Sequence, residues 1–545
     1  MTLASRFAGD YLGLPAADTY DVVVDSDLPV QMPDGVILLA DRFYPRAAER
    51  APLILVRSPY GRTGLFGLLF GRLIAERGFQ VVVQSCRGTF DSGGELNPFV
   101  NERTDGVATV RWLERQPWFP GAFGTLGPSY LGLAQWALAR DAGPALKAMA
   151  LQITASQFRD QSYPGESFAL ATALGWSDLM TFQESGLFAR FTARRRLRRG
   201  VSHLPLNESD RASTGKAIAF YREWLEHNQP GEAFWAARDF SDSVPTLTAP
   251  AQILSGWFDI FLPWTLEDYR ALRAAGRSPH LIIGPWTHAD PAVFAAMLRE
   301  SIAWMRAHLL GETQRLPSLP VRLFVMGANE WREYDEWPPR ETNSQRWYLH
   351  GNRGLGPEQP DAAAPDTYRY DPADPTPMVG GVVLGPGGGS VDNRRLEARG
   401  DVLTYTSATL HEDVEVIGDV SVELWVSSSL EHTDFFARLC DVWPDGRSMN
   451  LCDGLIRVQP GRGAQQPDGL LRIEIALWPT AHRFKRGHRL RLQISSGAHP
   501  RFARNTGSGE PLATATTLRV AQQTIFHDAQ RQSAVVLPIQ KWTRE

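Results

Sequence analysis

Cysteine is scarce: Cys86, Cys440 and Cys452 are the only three in 545 residues, and they form no paired CxxC. So sparse and odd a set suits a reducing compartment rather than a disulfide framework. No HExxH occurs, and no Gly-rich phosphate-cradling run ends in lysine, so neither zinc nor a nucleotide is indicated and no cofactor is expected. No apolar run approaches the ~20 residues needed to cross a bilayer. The opening MTLASRFAGDYLGLPAADTYD lacks a basic start followed by a sustained apolar stretch, so no signal peptide is expected. A surplus of one charge is missing as well. The formal net charge is -4, spread along the chain, which argues against nucleic acid as the main partner. With 43% hydrophobic and 21% charged residues, a soluble, cytoplasmic enzyme without a membrane partner is the expectation.

What is present is first of all length, which exceeds one ordinary core and suggests two to four domains. Up to residue 152, apolar runs such as Leu53 to Val56 and Val81 to Gln84 alternate with helical segments such as Asp105 to Leu113. Alternation of this kind predicts a mainly parallel sheet covered on both faces. Between 153 and 245 the spacing of Leu170, Ala173, Leu174 and Met180 turns helical, which reads as a cap inserted into the α/β part. The α/β pattern resumes for 246–350. From 351 to 545, Pro- and Gly-rich stretches (notably Gly380 to Gly389) give way to short alternating strands. Regular spacing with turn signals predicts a β-sandwich of jelly-roll type.

The most informative run is Gly127-Pro128-Ser129-Tyr130-Leu131-Gly132. It follows a short buried strand and opens a helix, so the Ser129 hydroxyl is pushed out of the backbone contour. The helix behind it directs free N–H groups at the same spot. Two further apolar runs end in Gly256-Trp257-Phe258-Asp259 and in Gly284-Pro285-Trp286-Thr287-His288. Candidate side chains just past buried strands lie where ligands of open α/β sheets collect. The chain order Ser129, Asp259, His288 is that of α/β-hydrolase triads. A serine hydroxyl needs an imidazole to take its proton and a carboxylate to fix that ring.

These residues resemble the serine hydrolases that include cocaine esterase, X-prolyl dipeptidyl peptidases, α-amino acid ester hydrolases and glutaryl-cephalosporin acylases. The matching runs extend from MPDGVILLADRFYP at Met32 through LVRSPYGR, CRGTFDSGGE, GPSYLG, GWFDIF and GPWTH to HTDFFARLCDVWPDGR at His432. Glycine follows the serine at the third position rather than the second, Leu131 intervening, as it does in that family. The resemblance implies an α/β-hydrolase with a helical cap and a C-terminal jelly roll. It implies Ser129 as nucleophile, His288 as base and Asp259 as orienting acid, with an oxyanion hole made by the Tyr60 hydroxyl and the Tyr130 backbone N–H. In the esterase-like members, cap and sandwich residues complete an acyl pocket, here Trp176, Phe261 and Leu403. Ser162 stands where aromatic-acyl members carry a bulky ring, which argues against benzoyl esters.

The expected partner is a small-molecule ester or amide, with three alternatives for the activity. A carboxylic-ester hydrolase leads, since Trp257, Phe258, Phe261 and Trp264 give the neighbourhood of Asp259 an apolar character. A dipeptidyl-peptidase, α-amino acid ester hydrolase or acylase would need acids to hold an ammonium, for which Glu166, Glu184 and Asp290 are the candidates. The third is an inactive hydrolase whose sandwich binds carbohydrate. The basic run Arg190, Arg194, Arg195, Arg196, Arg198 and Arg199 reads as a solvated helix face, or as recognition of a carboxylate or phosphate.

Overall fold

The computed structural model describes residues 3–185, 187–461, 464–466 and 469–540. Its first sheet contains β1 (Val22–Gln31), β2 (Ile37–Pro45), β3 (Leu53–Ser58), β4 (Gln80–Ser85), β5 (Phe123–Pro128), β6 (Leu146–Gln152), β7 (Ala251–Phe258), β8 (His280–Thr287), β9 (Val321–Val325) and β10 (Glu330–Tyr334). The spatial order is β1-β2-β4-β3-β5-β6-β7-β8-β9-β10. From β4 to β9 all neighbours are parallel, and antiparallel pairs close both edges. Every residue of β3, β4, β5 and β7 is buried. That is why these segments are continuous apolar runs rather than alternating ones.

Helices pack on this sheet, and their ends are written in the sequence. The helix Pro291–Leu310 starts at Asp290, whose carboxylate accepts the Ala292 N–H at 2.8 Å, with proline in the first turn. It stops at Gly311, whose φ of 79° lies in the left-handed region. This helix and Tyr130–Ala139 both contact β5 and β6.

Between β6 and β7 the chain is helical, with Leu170–Phe182, Leu187–Val201, Ser209–Thr214 and Ala219–Glu226 as its main helices. The base of this cap presses onto the sandwich at Gly165, where φ is 59° and an added Cβ would fall 1.7 Å from the Leu455 carbonyl oxygen. Only glycine fits such an approach.

The C-terminal part forms a second, strand-rich sheet folded into a β-sandwich. Its strand Thr433–Val442 is buried at every position and lies between Ser448–Val458 and Arg489–Ser495. The expected boundary at residue 350 needs correction. Strand Thr342–His350 pairs antiparallel with Ala534–Gln540, so the sandwich begins at Thr342 and the first sheet ends at Tyr334.

Candidate active site

Ser129 follows β5 directly and caps the helix Tyr130–Ala139 with φ 57° and ψ -122°, an unusual conformation for a residue with a side chain. The strain is held in place by neighbours. The Ser129 N–H donates to Gln152 O at 2.9 Å, and Thr154 Oγ1 donates to Ser129 O at 2.8 Å. Gly132 lets this close packing happen, because a Cβ there would come within 2.4 Å of the Thr154 side chain.

Asp259 and His288 each stand one residue past a strand, after β7 and β8. His288 Nδ1 lies 2.7 Å from Asp259 Oδ2, and His288 Nε2 lies 3.2 Å from Ser129 Oγ. Asp259 is fully buried, and its other oxygen accepts the Phe261 N–H at 2.8 Å. The Trp478 indole, from the sandwich, donates to the Asp259 backbone oxygen at 3.0 Å. The carboxylate therefore has one defined orientation, which fixes the imidazole with Nδ1–H towards it and Nε2 free to accept from the serine.

Tyr60 lies two residues past β3, with its own N–H held by Ser58 Oγ at 3.0 Å. Its hydroxyl accepts the Trp176 indole N–H at 3.0 Å, leaving the phenolic proton to be donated elsewhere. Burial pushes the phenol up to about 12, and hydrogen bonds with Trp176 and Ser129 offset this only in part. Tyr60 is thus a proton-bearing donor beside Ser129 at neutral pH. Tyr130 sits in the first turn of its helix, where the backbone N–H has no intrahelical acceptor.

The Tyr130 side chain has a separate, structural task. Its hydroxyl donates to Glu102 Oε1 at 2.9 Å and accepts the Phe99 N–H at 3.2 Å, while Glu102 pairs with Arg57 at 2.6 Å. This buried group fixes the ring as part of the wall of a cavity. The cavity opens on Ser129, encloses about 510 Å³ of space partly continuous with solvent, and is walled chiefly by Phe99, Phe158, Trp176, Trp224, Phe261 and Leu384. Trp176 stacks on Tyr130 with 6.1 Å between ring centroids and on Trp224 with 5.9 Å. Ser162 lines the same space, and among the described residues no charged side chain does.

Of the expected site residues, Ser129, Asp259, His288, Tyr60, Tyr130, Trp176 and Phe261 come together here, whereas Leu403 does not. Leu403 is buried in the sandwich opposite Ile494, and Leu384 supplies the sandwich's side of the cavity instead. Leu384 rides on a Gly-rich loop closed by reciprocal hydrogen bonds between Gly381 and Gly389, at 2.7 and 2.8 Å. Arg438 anchors that loop by donating to Val379 O at 2.7 Å, and Asp453 holds the same guanidinium at 2.9 Å. Phe99, with φ 70°, and Phe158 are wall residues without a sequence signal, since each sits in a loop of no regular period.

The three acids weighed as ammonium anchors are elsewhere. Glu166 pairs with Arg159 at 2.5 Å, the exposed Glu184 accepts from Phe90 N at 3.3 Å, and Asp290 is the helix cap already described. None of them lines the cavity. In the basic run, Arg194, Arg195, Arg198 and Arg199 are exposed, while Arg196 is bound to Asp178 at 2.7 Å and stacks on Phe182. The Arg190 side chain lies outside the described residues. Burial pushes all three thiols up, so none competes as a nucleophile. Among the described residues no acid, histidine and cysteine cluster could hold a metal, and no helix is long and apolar enough to cross a membrane.

Residues 34–290 match the model of the X-Pro dipeptidyl-peptidase (S15 family), and residues 315–536 match the X-Pro dipeptidyl-peptidase C-terminal non-catalytic domain. Cocaine esterase of Rhodococcus sp. (strain MB1 Bresler) is 32% identical over 575 aligned positions, covering 95% of this chain and 99% of that protein. The chain belongs to the X-Pro dipeptidyl-peptidase (S15) family. Solved structures share the fold over nearly the whole chain. An aminopeptidase from a marine-sediment Thaumarchaeota archaeon superposes with a TM-score of 0.81 at 23% identity, covering 97% of this chain and 98% of that one. An α-amino acid ester hydrolase gives 0.80 at 21% identity, over 97% and 98% of the two chains. S15 relatives are esterases and peptidases, and this chain is a hydrolase of that kind.

Proposed function

We propose that this protein hydrolyses carboxylic esters through an acyl-enzyme on Ser129. The observation that carries this is the continuous path from Asp259 through His288 to the Ser129 hydroxyl, at 2.7 and 3.2 Å, opening on an apolar cavity. His288 Nε2 takes the serine proton as Oγ attacks the carbonyl, and Asp259 stabilises the imidazolium that forms. The Tyr60 hydroxyl and the Tyr130 N–H donate to the developing oxyanion. The imidazolium then protonates the leaving alkoxide, and a water repeats the sequence to release the acid. No step calls for a cofactor.

The lack of any charged wall residue favours an uncharged acyl group over an aminoacyl one, because a buried ammonium without a carboxylate is costly. That sets ester hydrolysis above the dipeptidyl-peptidase and α-amino acid ester readings. The ordered catalytic path likewise favours an active enzyme over a carbohydrate-binding protein. The deciding experiment compares 4-nitrophenyl butyrate with aminoacyl-proline 4-nitroanilides on wild type and Ser129→Ala. Ester turnover should dominate and vanish in the variant. Preference for the anilides, or ester turnover that survives Ser129→Ala, would overturn the proposal.

A further inference from the structure

Trp478 reaches from the sandwich to the residue that turns towards His288. It lies between the strands Leu471–Ala476 and Thr480–Phe484 and is buried, and its indole N–H donates to the Asp259 backbone oxygen at 3.0 Å. Asp259 stands one residue beyond β7, and the β7–β8 ladder ends at the pair Phe258 and Thr287, so its carbonyl lies outside the sheet. Within its own turn that oxygen meets the Leu262 N–H at 3.4 Å. Among the described residues the indole thus supplies its one hydrogen bond of ordinary length, and a buried carbonyl normally needs such a bond.

The indole itself is tightly held. The Trp478 backbone N–H donates to Asp453 O at 3.0 Å. The Trp264 ring, on the helix Leu262–Ala274 that follows Asp259, meets the indole edge-on, with 5.8 Å between centroids and 89° between planes. The Arg501 guanidinium lies 4.4 Å from the Trp478 ring centroid, and Arg501 pairs with Asp453. Arg438 pairs with the same carboxylate at 2.9 Å and is the side chain that anchors the Leu384 loop. Asp453, Arg438, Arg501 and Trp478 are all buried. Removing one member of a buried ion cluster leaves an uncompensated charge, so the cluster resists displacement and makes a stiff mount for the indole.

We infer that Trp478 is a positioning residue for the proposed acid: the sandwich fixes the Asp259 main chain through the indole N–H and thereby sets the carboxylate against His288 Nδ1. This rests on the acyl-enzyme reading above and deepens it. It gives a share in the chemistry to the part of the chain that matches a C-terminal non-catalytic domain. The link is short, because the backbone oxygen and the carboxylate belong to one residue. The carboxylate accepts the Phe261 N–H at 2.8 Å and lies 2.7 Å from His288 Nδ1. Phe261 moves with the Asp259 turn, whereas His288 belongs to another strand end. A shift of the turn is therefore felt first in the bond to His288, and catalytic groups must be held to a fraction of an ångström.

The test is Trp478→Phe, which keeps a ring against Trp264 and Arg501 and removes the N–H donor. For 4-nitrophenyl butyrate kcat should fall about tenfold, the scale of one hydrogen bond in a buried site, with KM unchanged. The low-field proton resonance of the His288–Asp259 hydrogen bond should move or broaden, which a loss of packing elsewhere would not cause. In an Asp259→Asn background the same substitution should cost less than about twofold, because a residue that acts through the carboxylate has nothing left to act on. Should the phenylalanine variant not fold, replacing Trp478 by benzothienylalanine keeps the bicyclic shape and removes only the N–H. An unmoved resonance, or an equal fall in kcat with and without the Asp259 carboxylate, would overturn the inference while leaving ester hydrolysis intact. If wild type turns over no ester, the underlying activity falls instead, and the resonance together with the rate of Ser129 labelling by a fluorophosphonate still decides the role of Trp478.

Discussion

Trp176 and Tyr60 meet across the boundary between cap and sheet, the indole N–H donating to the phenolic oxygen at 3.0 Å. One ring thus does two things. It lines the cavity that opens on Ser129, and it occupies a lone pair of the proposed oxyanion donor. A tyrosine that already accepts one hydrogen bond has its remaining proton directed, and polarised, towards a second acceptor.

Tyr60→Phe should therefore lower kcat for 4-nitrophenyl esters by about 10²–10³, the usual effect of losing one oxyanion donor. KM should change little. Steady-state kinetics check this, and an unaltered kcat would remove Tyr60 from the oxyanion site. Trp176→Phe keeps a ring against Tyr130 but removes the indole donor, and should lower kcat in the same direction by a smaller factor.

Asp259→Asn should reduce kcat by about 10⁴, because an amide can donate where the carboxylate accepts and so favours the wrong imidazole tautomer. Circular dichroism and thermal melting check that the fold survives. Activity within tenfold of wild type would detach Asp259 from the catalytic path.

Asp268 is buried on the helix Leu262–Ala274, where its carboxyl meets Ser156 N at 2.8 Å and Ser156 Oγ at 2.6 Å. Burial raises it to about 8 despite those donors. A carboxyl raised on folding contributes stability that is full below the ordinary carboxylate range and is lost as pH climbs through the folded value. Wild type should thus lose melting temperature between about pH 4 and pH 8, and Asp268→Asn should flatten that slope. Melting curves at pH 5 and pH 8 measure it; parallel slopes for both proteins would contradict the assignment.

Gly165→Ala would drive a methyl into the Leu455 carbonyl. The cap should lift from the sandwich, lowering the melting temperature by several degrees and weakening ester turnover together. A variant with wild-type stability would mean that this contact gives way easily.

The three residues that meet at the candidate site were legible because each is announced locally. A buried strand ends, glycines or prolines mark the turn, and the functional side chain comes next, as at Pro128-Ser129, Phe258-Asp259 and Thr287-His288. The mainly parallel sheet and the helical insertion follow from the same kind of near-neighbour pattern. What depends on distant pairing stayed hidden. Thr342–His350 opens with the polar, largely exposed run Thr-Asn-Ser-Gln-Arg and carries no signal of its partner, the strand Ala534–Gln540 near the far end of the chain. Leu403 is what the resemblance implies for the sandwich side of the pocket, and the structure puts Leu384 there. The former sits in a recognisable strand and the latter in a Gly-rich loop whose position depends on Arg438, a residue half a hundred positions later.

The loop that carries Leu384 is pinned at its base by Arg438 and closed on itself between Gly381 and Gly389, and towards its end Gly388 packs so near β8 that an added Cβ would come within 3.2 Å of the Thr287 methyl. A change of shape in this loop would accordingly be felt both at the cavity wall, through Leu384, and one residue before His288. Exchanging residues 382–388 with those of a homologue should therefore shift acyl preference and turnover of the proposed ester substrates together.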